Sequence, residues 1–240
     1  MIARMAVSTR GLVKRYGARR ALDGFSLDVP VGTVLGLVGP NGAGKTTWMM
    51  SVAGLLQVQA GEISIFGTSG GFDATRHSGR VAILPQDSEL PLESTPRSFL
   101  CSLARLSGQS AAAARADVEA VLAAVNLADR ARQVIRSLSH GMRKRLMAAQ
   151  CFLGRPELIL LDEPMNGLDP EEALRLRELI RSRAASAAIV ISSHQLLDLE
   201  RLVDQVAFVN AGRVVKVASV AELTAGGGTL ESAYLAGMRG

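Results

Sequence analysis

The stretch Gly39-Pro40-Asn41-Gly42-Ala43-Gly44-Lys45-Thr46-Thr47 packs three glycines, a lysine and two threonines together. Gly39, Gly44, Lys45 and Thr46 fit the spacing GxxxxGK[ST]. Glycines let the backbone fold back so that several N–H groups aim at one anion. The helix expected after the loop adds the positive end of its dipole. Lys45 is then placed to reach the β and γ phosphates of a nucleotide, and the Thr46 hydroxyl to ligate magnesium. Pro40, Asn41, Gly42, Ala43 and Thr47 complete the cradle. A chance glycine-rich turn is the competing reading. The apolar run Val34-Leu35-Gly36-Leu37-Val38 before the loop and the helical pattern after it argue against that.

A second cluster reads Leu158-Ile159-Leu160-Leu161-Asp162-Glu163-Pro164, four aliphatics ending in two adjacent acids. In parallel sheets ligands bind beyond the carboxyl ends of the strands. Asp162 is placed to hold magnesium, directly or through water, and Glu163 to polarise a water for attack on the γ phosphate. A strand ending in a solvated acidic loop is the bland alternative.

Elements must bring these groups together. Val34 to Val38, Val81 to Leu84, Leu158 to Leu161 and Ile189 to Ile191 are apolar without alternation, which suits strands buried on both faces of a parallel sheet. Val206 to Val209 and Arg213 to Val217 flank Asn210-Ala211-Gly212 and read as a hairpin. The pattern predicts an α/β fold with helices on both faces of the sheet. Residues 94–150 carry no strand signal and are rich in Ala, Leu and Arg. Thr95 before Pro96 reads as a helix start, with Phe99, Leu103 and Leu106 at helical spacing. This predicts a helical subdomain inserted between two strands. Gly226-Gly227-Gly228 reads as a flexible joint before a short terminal segment. There is no internal repeat.

Composition narrows the function classes. The chain has 240 residues, of which 48% are hydrophobic and 20% charged, so it is globular rather than disordered. Its net charge of +5 and pI near 9.8 suit an arginine-rich solvated surface, or contact with nucleic acid or an anionic membrane. Aromatics at 4% leave little for base-stacking platforms. Cys101 and Cys151 belong to no ligand spacing and fit a reducing compartment. No apolar run approaches bilayer length, and the N-terminus lacks the apolar core of a signal peptide. The expectation is a soluble chain that reaches a membrane only through a partner.

GPNGAGKTT followed by LLDEP resembles the ATPase subunit of ATP-binding cassette (ABC) transporters, and the likeness runs from about residue 6 to 235. The resemblance implies a single domain over 1–240 with a RecA-like P-loop NTPase sheet, mostly parallel and flanked by helices. It also implies an N-terminal antiparallel β subdomain, an inserted α-helical subdomain over 87–154 and a C-terminal tail over 219–240. By the same resemblance, Tyr16 in KRYG stacks on adenine, with a packed surface tyrosine as the alternative. Gln86 in ILPQD senses the γ phosphate and shares the magnesium, and His194 in ISSHQ contacts the γ phosphate and the attacking water. Asn166-Gly167-Leu168-Asp169 resembles a loop that crosses a dimer interface. Asp169, Pro170 and Glu172 also form a helix start, and both readings can hold.

The signature departs from the family consensus LSGGQ and reads Leu138-Ser139-His140-Gly141-Met142. Ser139 and Gly141 remain to offer a hydroxyl and a backbone N–H to a γ phosphate. Arg143, Lys144 and Arg145 come next, unfavourable at a helix N-terminus unless an anion is near, and otherwise a basic exposed face. The form LS-x-GM-basic and the tail Thr229 to Leu235 are similar to bacterial ABC-2-type exporters whose ATPase is a separate chain. The likeness implies ATP and magnesium as ligands, and two copies closing around two ATP molecules. A membrane permease subunit would dock on Asp87 to Leu100, and the chain would sit peripherally at the cytoplasmic face of a bacterial inner membrane. No nucleic acid is expected. Soluble ABC ATPases acting on ribosomes or DNA are the runner-up, and a P-loop kinase a distant third.

Overall fold

The computed structural model describes residues 4–194, 196–225 and 227–237. β1 (Met5–Tyr16) and β2 (Arg19–Pro30) form a long antiparallel hairpin, and β3 (Val34–Val38) runs into the glycine loop and α1 (Lys45–Val52). β4 (Ala60–Ile65), β5 (Thr68–Ser69), α2 (Ala74–His77) and β6 (Val81–Leu84) come next in the chain. Three helices, α3 (Pro96–Leu106), α4 (Ala111–Ala124) and α5 (His140–Gln150), separate β6 from β7 (Leu158–Asp162). α6 (Pro170–Ala184), β8 (Ala188–Ser193), α7 (Leu196–Glu200), β9 (Gln205–Asn210), β10 (Arg213–Ser219), α8 (Val220–Leu223) and α9 (Leu230–Gly237) complete the order.

The strands form two sheets. One has the order β2-β1-β4-β5 and is antiparallel. The other has the order β10-β9-β3-β8-β7-β6 and is parallel except for β10. All four unalternating runs lie in the parallel part, as expected. Covering both faces explains their composition. Val34, Val38, Ile159, Leu161, Ile189 and Ile191 pack with the helices through Leu146, Leu176 and Ile180. Leu35, Leu37, Leu158, Leu160 and Val190 pack on the opposite face with α1 and the antiparallel sheet, around Trp48 and Phe25. The Trp48 indole N–H donates to Thr9 Oγ1 at 3.1 Å, so the largest core side chain leaves no orphaned polar atom.

Local signals set the boundaries. Thr95 caps α3, its Oγ1 accepting from Ser98 N–H at 3.2 Å, with Pro96 in the first turn. The buried face of α3 is Pro96, Leu100 and Ala104. Phe99 and Leu103 sit at its edge, and Leu106 is 81% exposed rather than core, because two residues on from Ala104 it points to the opposite side of the helix. Ala211 and Gly212 turn β9 into β10 at φ +45° and +76°. Of the glycine run near the end, Gly226 lies outside the described residues. The segment beyond Gly228 is docked on the core: Leu230 is fully buried and Tyr234 lies 5.6 Å from Phe208, ring to ring. Cys151 is buried, which pushes its thiol up to about 12 and leaves it a packing role. Among the described residues no helix is long and apolar enough to cross a membrane.

Candidate active site

The glycine loop sits where β3 meets α1. Gly44 precedes the helix at φ +111°, a conformation closed to side chains. A β-carbon on Gly39 would lie 2.2 Å from the Val209 carbonyl oxygen, so the loop touches β9 directly. Lys45 reaches back and donates to the carbonyls of Gly39 at 2.8 Å and Pro40 at 3.2 Å. Burial pushes the Lys45 ammonium below the ordinary lysine range, and the charges of Glu163 and Asp162 oppose that shift. Ala43 is buried and closes the loop, its N–H donating to Pro40 O at 3.1 Å.

Asp162 ends β7 and is buried. One carboxylate oxygen accepts from the Thr46 hydroxyl at 2.5 Å and the other from Ser192 at the end of β8. Thr46 and Asp162 stand 116 positions apart in sequence, and only the parallel register of β3, β8 and β7 joins them. Glu163 comes next in the left-handed region, φ +49°, which costs a non-glycine residue on the order of 1 kcal/mol. Its N–H donates to Ser192 Oγ at 2.9 Å. Its carboxylate faces His194, whose Nδ1 is 3.0 Å from both oxygens.

A cleft of about 290 Å³ gathers Tyr16, Arg19, Asn41, Gly42, Gly44, Lys45, Thr46, Thr47, Gln86, Asp162 and Glu163. Tyr16 is half exposed, with the Lys14 ammonium 5.5 Å from its ring centroid. Gln86 stands just past β6 and opens a second space of about 160 Å³ that runs on to Lys144 and Asn166. The donor set suits magnesium. Thr46, Asp162 and Gln86 offer oxygens, and one carboxylate is enough for an ion that keeps waters and phosphate oxygens.

Ser139 and Gly141 do not line that cleft. Ser139 caps α5, its Oγ accepting from Met142 N–H at 3.1 Å. Gly141 faces α6: a β-carbon there would meet a Glu172 carboxylate oxygen at 2.0 Å. A β-carbon on Gly167 would lie 3.5 Å from His140 Nε2, so the imidazole stands over the turn from Asn166 to Asp169.

A family model described as ABC transporter matches residues 22–166. The chain belongs to the ABC transporter family. It is 37% identical over 225 residues to the daunorubicin resistance ATP-binding protein DrrA3 of Streptomyces coeruleorubidus, covering 93% of this chain and 71% of that one. To the Nod factor export ATP-binding protein I of Burkholderia orbicola it is 37% identical over 210 residues, covering 87% and 69%. A solved ATP-binding subunit of an ABC transporter superposes with a TM-score of 0.86 at 27% identity, covering 97% of this chain and 99% of that one. The fold is therefore that of ABC ATP-binding subunits.

Three features of this ABC chain escape sequence reasoning. Ser192, whose hydroxyl joins Asp162 to the Glu163 backbone, signals itself only as a polar residue at the end of an aliphatic strand. Arg145 is buried, not part of a basic exposed face, and this corrects the reading from spacing alone. It donates to the Val125 carbonyl at 2.6 Å and lies 3.4 Å from Glu172, so the anion it needs is the chain's own. Arg19, at the cleft mouth, has no motif to mark it.

Proposed function

We propose that this chain is the ATP-hydrolysing subunit of an exporter and works as a pair of copies on a membrane permease. The observation that carries the reading is the joining of Thr46 to Asp162 in the same cleft as Lys45, Glu163 and Gln86. Such a site suits phosphoryl transfer, which rests on positioning and charge stabilisation. Tyr16 stacks on adenine. Lys45 and the unpaired backbone N–H groups of the glycine loop hold the phosphates. Thr46, Asp162 and Gln86 would hold magnesium, which neutralises charge on the β and γ phosphates. Glu163 takes a proton from the attacking water as its oxygen bonds to the γ phosphorus and the bond to ADP breaks. The strained backbone of Glu163 supports this role, since such outliers gather at functional sites. His194 holds the Glu163 carboxylate and orients the γ phosphate. Ser139 and Gly141 serve the nucleotide of the second copy, which fits their absence from their own cleft.

Export is supported by the two relatives, whose names describe drug resistance and Nod factor export. We assign the permease contact to the segment from Asp87 to Leu100, within the helical unit over 87–154. A groove of about 340 Å³ between Ser88–Leu92 and the face of α5 bearing His140, Arg143 and Met147 supports that assignment. Affinity purification of the tagged chain from gently solubilised membranes tests the proposal. A co-purifying protein with several membrane spans and magnesium-dependent ATPase activity is the expected result. Ribosomes, nucleic acid or soluble proteins alone would overturn transport and leave the ATPase chemistry standing.

A further inference from the structure

Arg19 opens β2, three residues after Tyr16, at the rim of the nucleotide cleft. Its Nη2 donates to the backbone carbonyl of Gly42 at 2.9 Å. The contact is close: a β-carbon on Gly42 would lie 2.2 Å from that nitrogen. The arginines around it are used differently. Arg20 and Arg213 share the carboxylate of Asp23, at 2.5 and 2.8 Å, and Arg10 pairs with Asp28 at 2.6 Å. Arg19 has no carboxylate partner among the described residues. Its charge rests on one neutral carbonyl of the phosphate loop itself.

A guanidinium carries five N–H donors in a planar fork that matches phosphate oxygens. With one donor on Gly42, most of that capacity stays open toward a cleft built for polyanions. We infer that Arg19 is a ligand of the nucleotide's polyphosphate. It is parked on Gly42 in the free chain and turns to phosphate oxygens when nucleotide enters. Its contribution grows with the phosphate charge, so it favours ATP over ADP and ADP over AMP. The inference rests on the reading of the cleft as an ATP site.

The test measures magnesium-dependent binding of ATP, ADP and AMP by competition with a fluorescent ATP analogue. Wild type, Arg19→Ala, Arg19→Gln and Arg19→Lys are compared. Arg19 is exposed, so the variants should keep the wild-type melting temperature. The alanine and glutamine variants should each bind ATP about tenfold more weakly, as suits one charge-assisted contact. The loss should shrink to under about twofold for AMP, and lysine should restore part of the ATP affinity. Glutamine can still donate to the Gly42 carbonyl but carries no charge. ATP affinity restored by glutamine would make Arg19 a mere brace of the loop and overturn the inference. Equal losses for all three nucleotides, or no loss, would overturn it as well. A wild-type chain that binds no ATP would instead bring down the reading of the cleft, a distinguishable failure.

Discussion

The phosphate loop and the tip of α5 are both helix N-termini with a family motif, yet they are built in opposite ways. The loop lies at the ends of strands buried on both faces. Its polar groups are tied to one another: Lys45 to two carbonyls, Asp162 to two hydroxyls, Glu163 to His194. The α5 tip stands on a helical layer, with Ser139 and His140 exposed. It is held from its second turn, where Arg145 joins the end of α4 to Glu172 of α6. The groups lining the cleft are thus held by partners in their own chain, whereas the exposed Ser139 and His140 of the α5 tip lie outside that cleft, and only Gly141 and Arg145 behind them meet a carboxylate of the chain, that of Glu172. Two copies facing each other would complete both.

That contrast can be broken by mutation. Glu163→Gln should lower ATP turnover by roughly 10²- to 10⁴-fold, the span of a lost general base. ATP binding should survive, and size-exclusion chromatography with ATP should show a stable dimer. Near wild-type turnover would remove Glu163 from the chemistry. Arg145→Ala should cost about 3 kcal/mol of stability, since it strands the nearly buried Glu172 charge against Gly141. Denaturant unfolding measures this, and ATP affinity of the folded monomer should hold. An equal collapse of ATP affinity would show that the two regions are not separate.

The same contrast explains which residues are legible in the sequence. Lys45, Thr46, Asp162 and Glu163 can be read from the loop spacing and the end of an aliphatic run, and Tyr16 and Gln86 from the family resemblance. Tyr16, Lys45, Thr46, Gln86, Asp162 and Glu163 indeed line one space. Arg145 defeats the reading because spacing says that three basic residues come after a helix cap, but not which way they point. At 3.6 residues per turn, Arg145 turns inward while Lys144 stays partly exposed and lines the space beside Gln86. Ser192 and Arg19 escape for a different reason. Their partners are 30 and 23 positions away, and a single polar residue carries no pattern that announces a distant contact.

Protonation sharpens the electrostatics of the cleft by a smaller amount. Burial depresses the free-state pKa of Lys45, whereas phosphates favour its charged form and must raise it. Below the free-state value both forms are charged and affinity is flat with pH. Above it, binding takes up a proton and affinity falls as pH rises, by at most about tenfold per unit. The decline should begin below the ordinary lysine pKa. Titration calorimetry in buffers of different ionisation enthalpy should show proton uptake in that alkaline window. Proton release there would contradict the assignment of Lys45 to the phosphates.

The smallest expected effect belongs to His140→Gly, which restores the family's usual residue at the α5 tip. The imidazole stands over Gly167 and makes no contact with the cleft of its own chain. Ser139 would still cap the helix, so the stability cost should stay within about 1 kcal/mol, the helix penalty of glycine. Monomer affinity for ATP should not change. What can change is the closure of two copies, because His140 and the turn from Asn166 to Asp169 share the surface that would face the second nucleotide. Equilibrium sedimentation of the ATP-bound dimer, in a Glu163→Gln background, reads that effect alone. A shift in dimer affinity with monomer affinity intact would assign the LSHGM variation to the interface. A matching loss in the monomer would mean that the α5 tip reaches the cleft of its own chain, and the separation of the two regions would have to be given up.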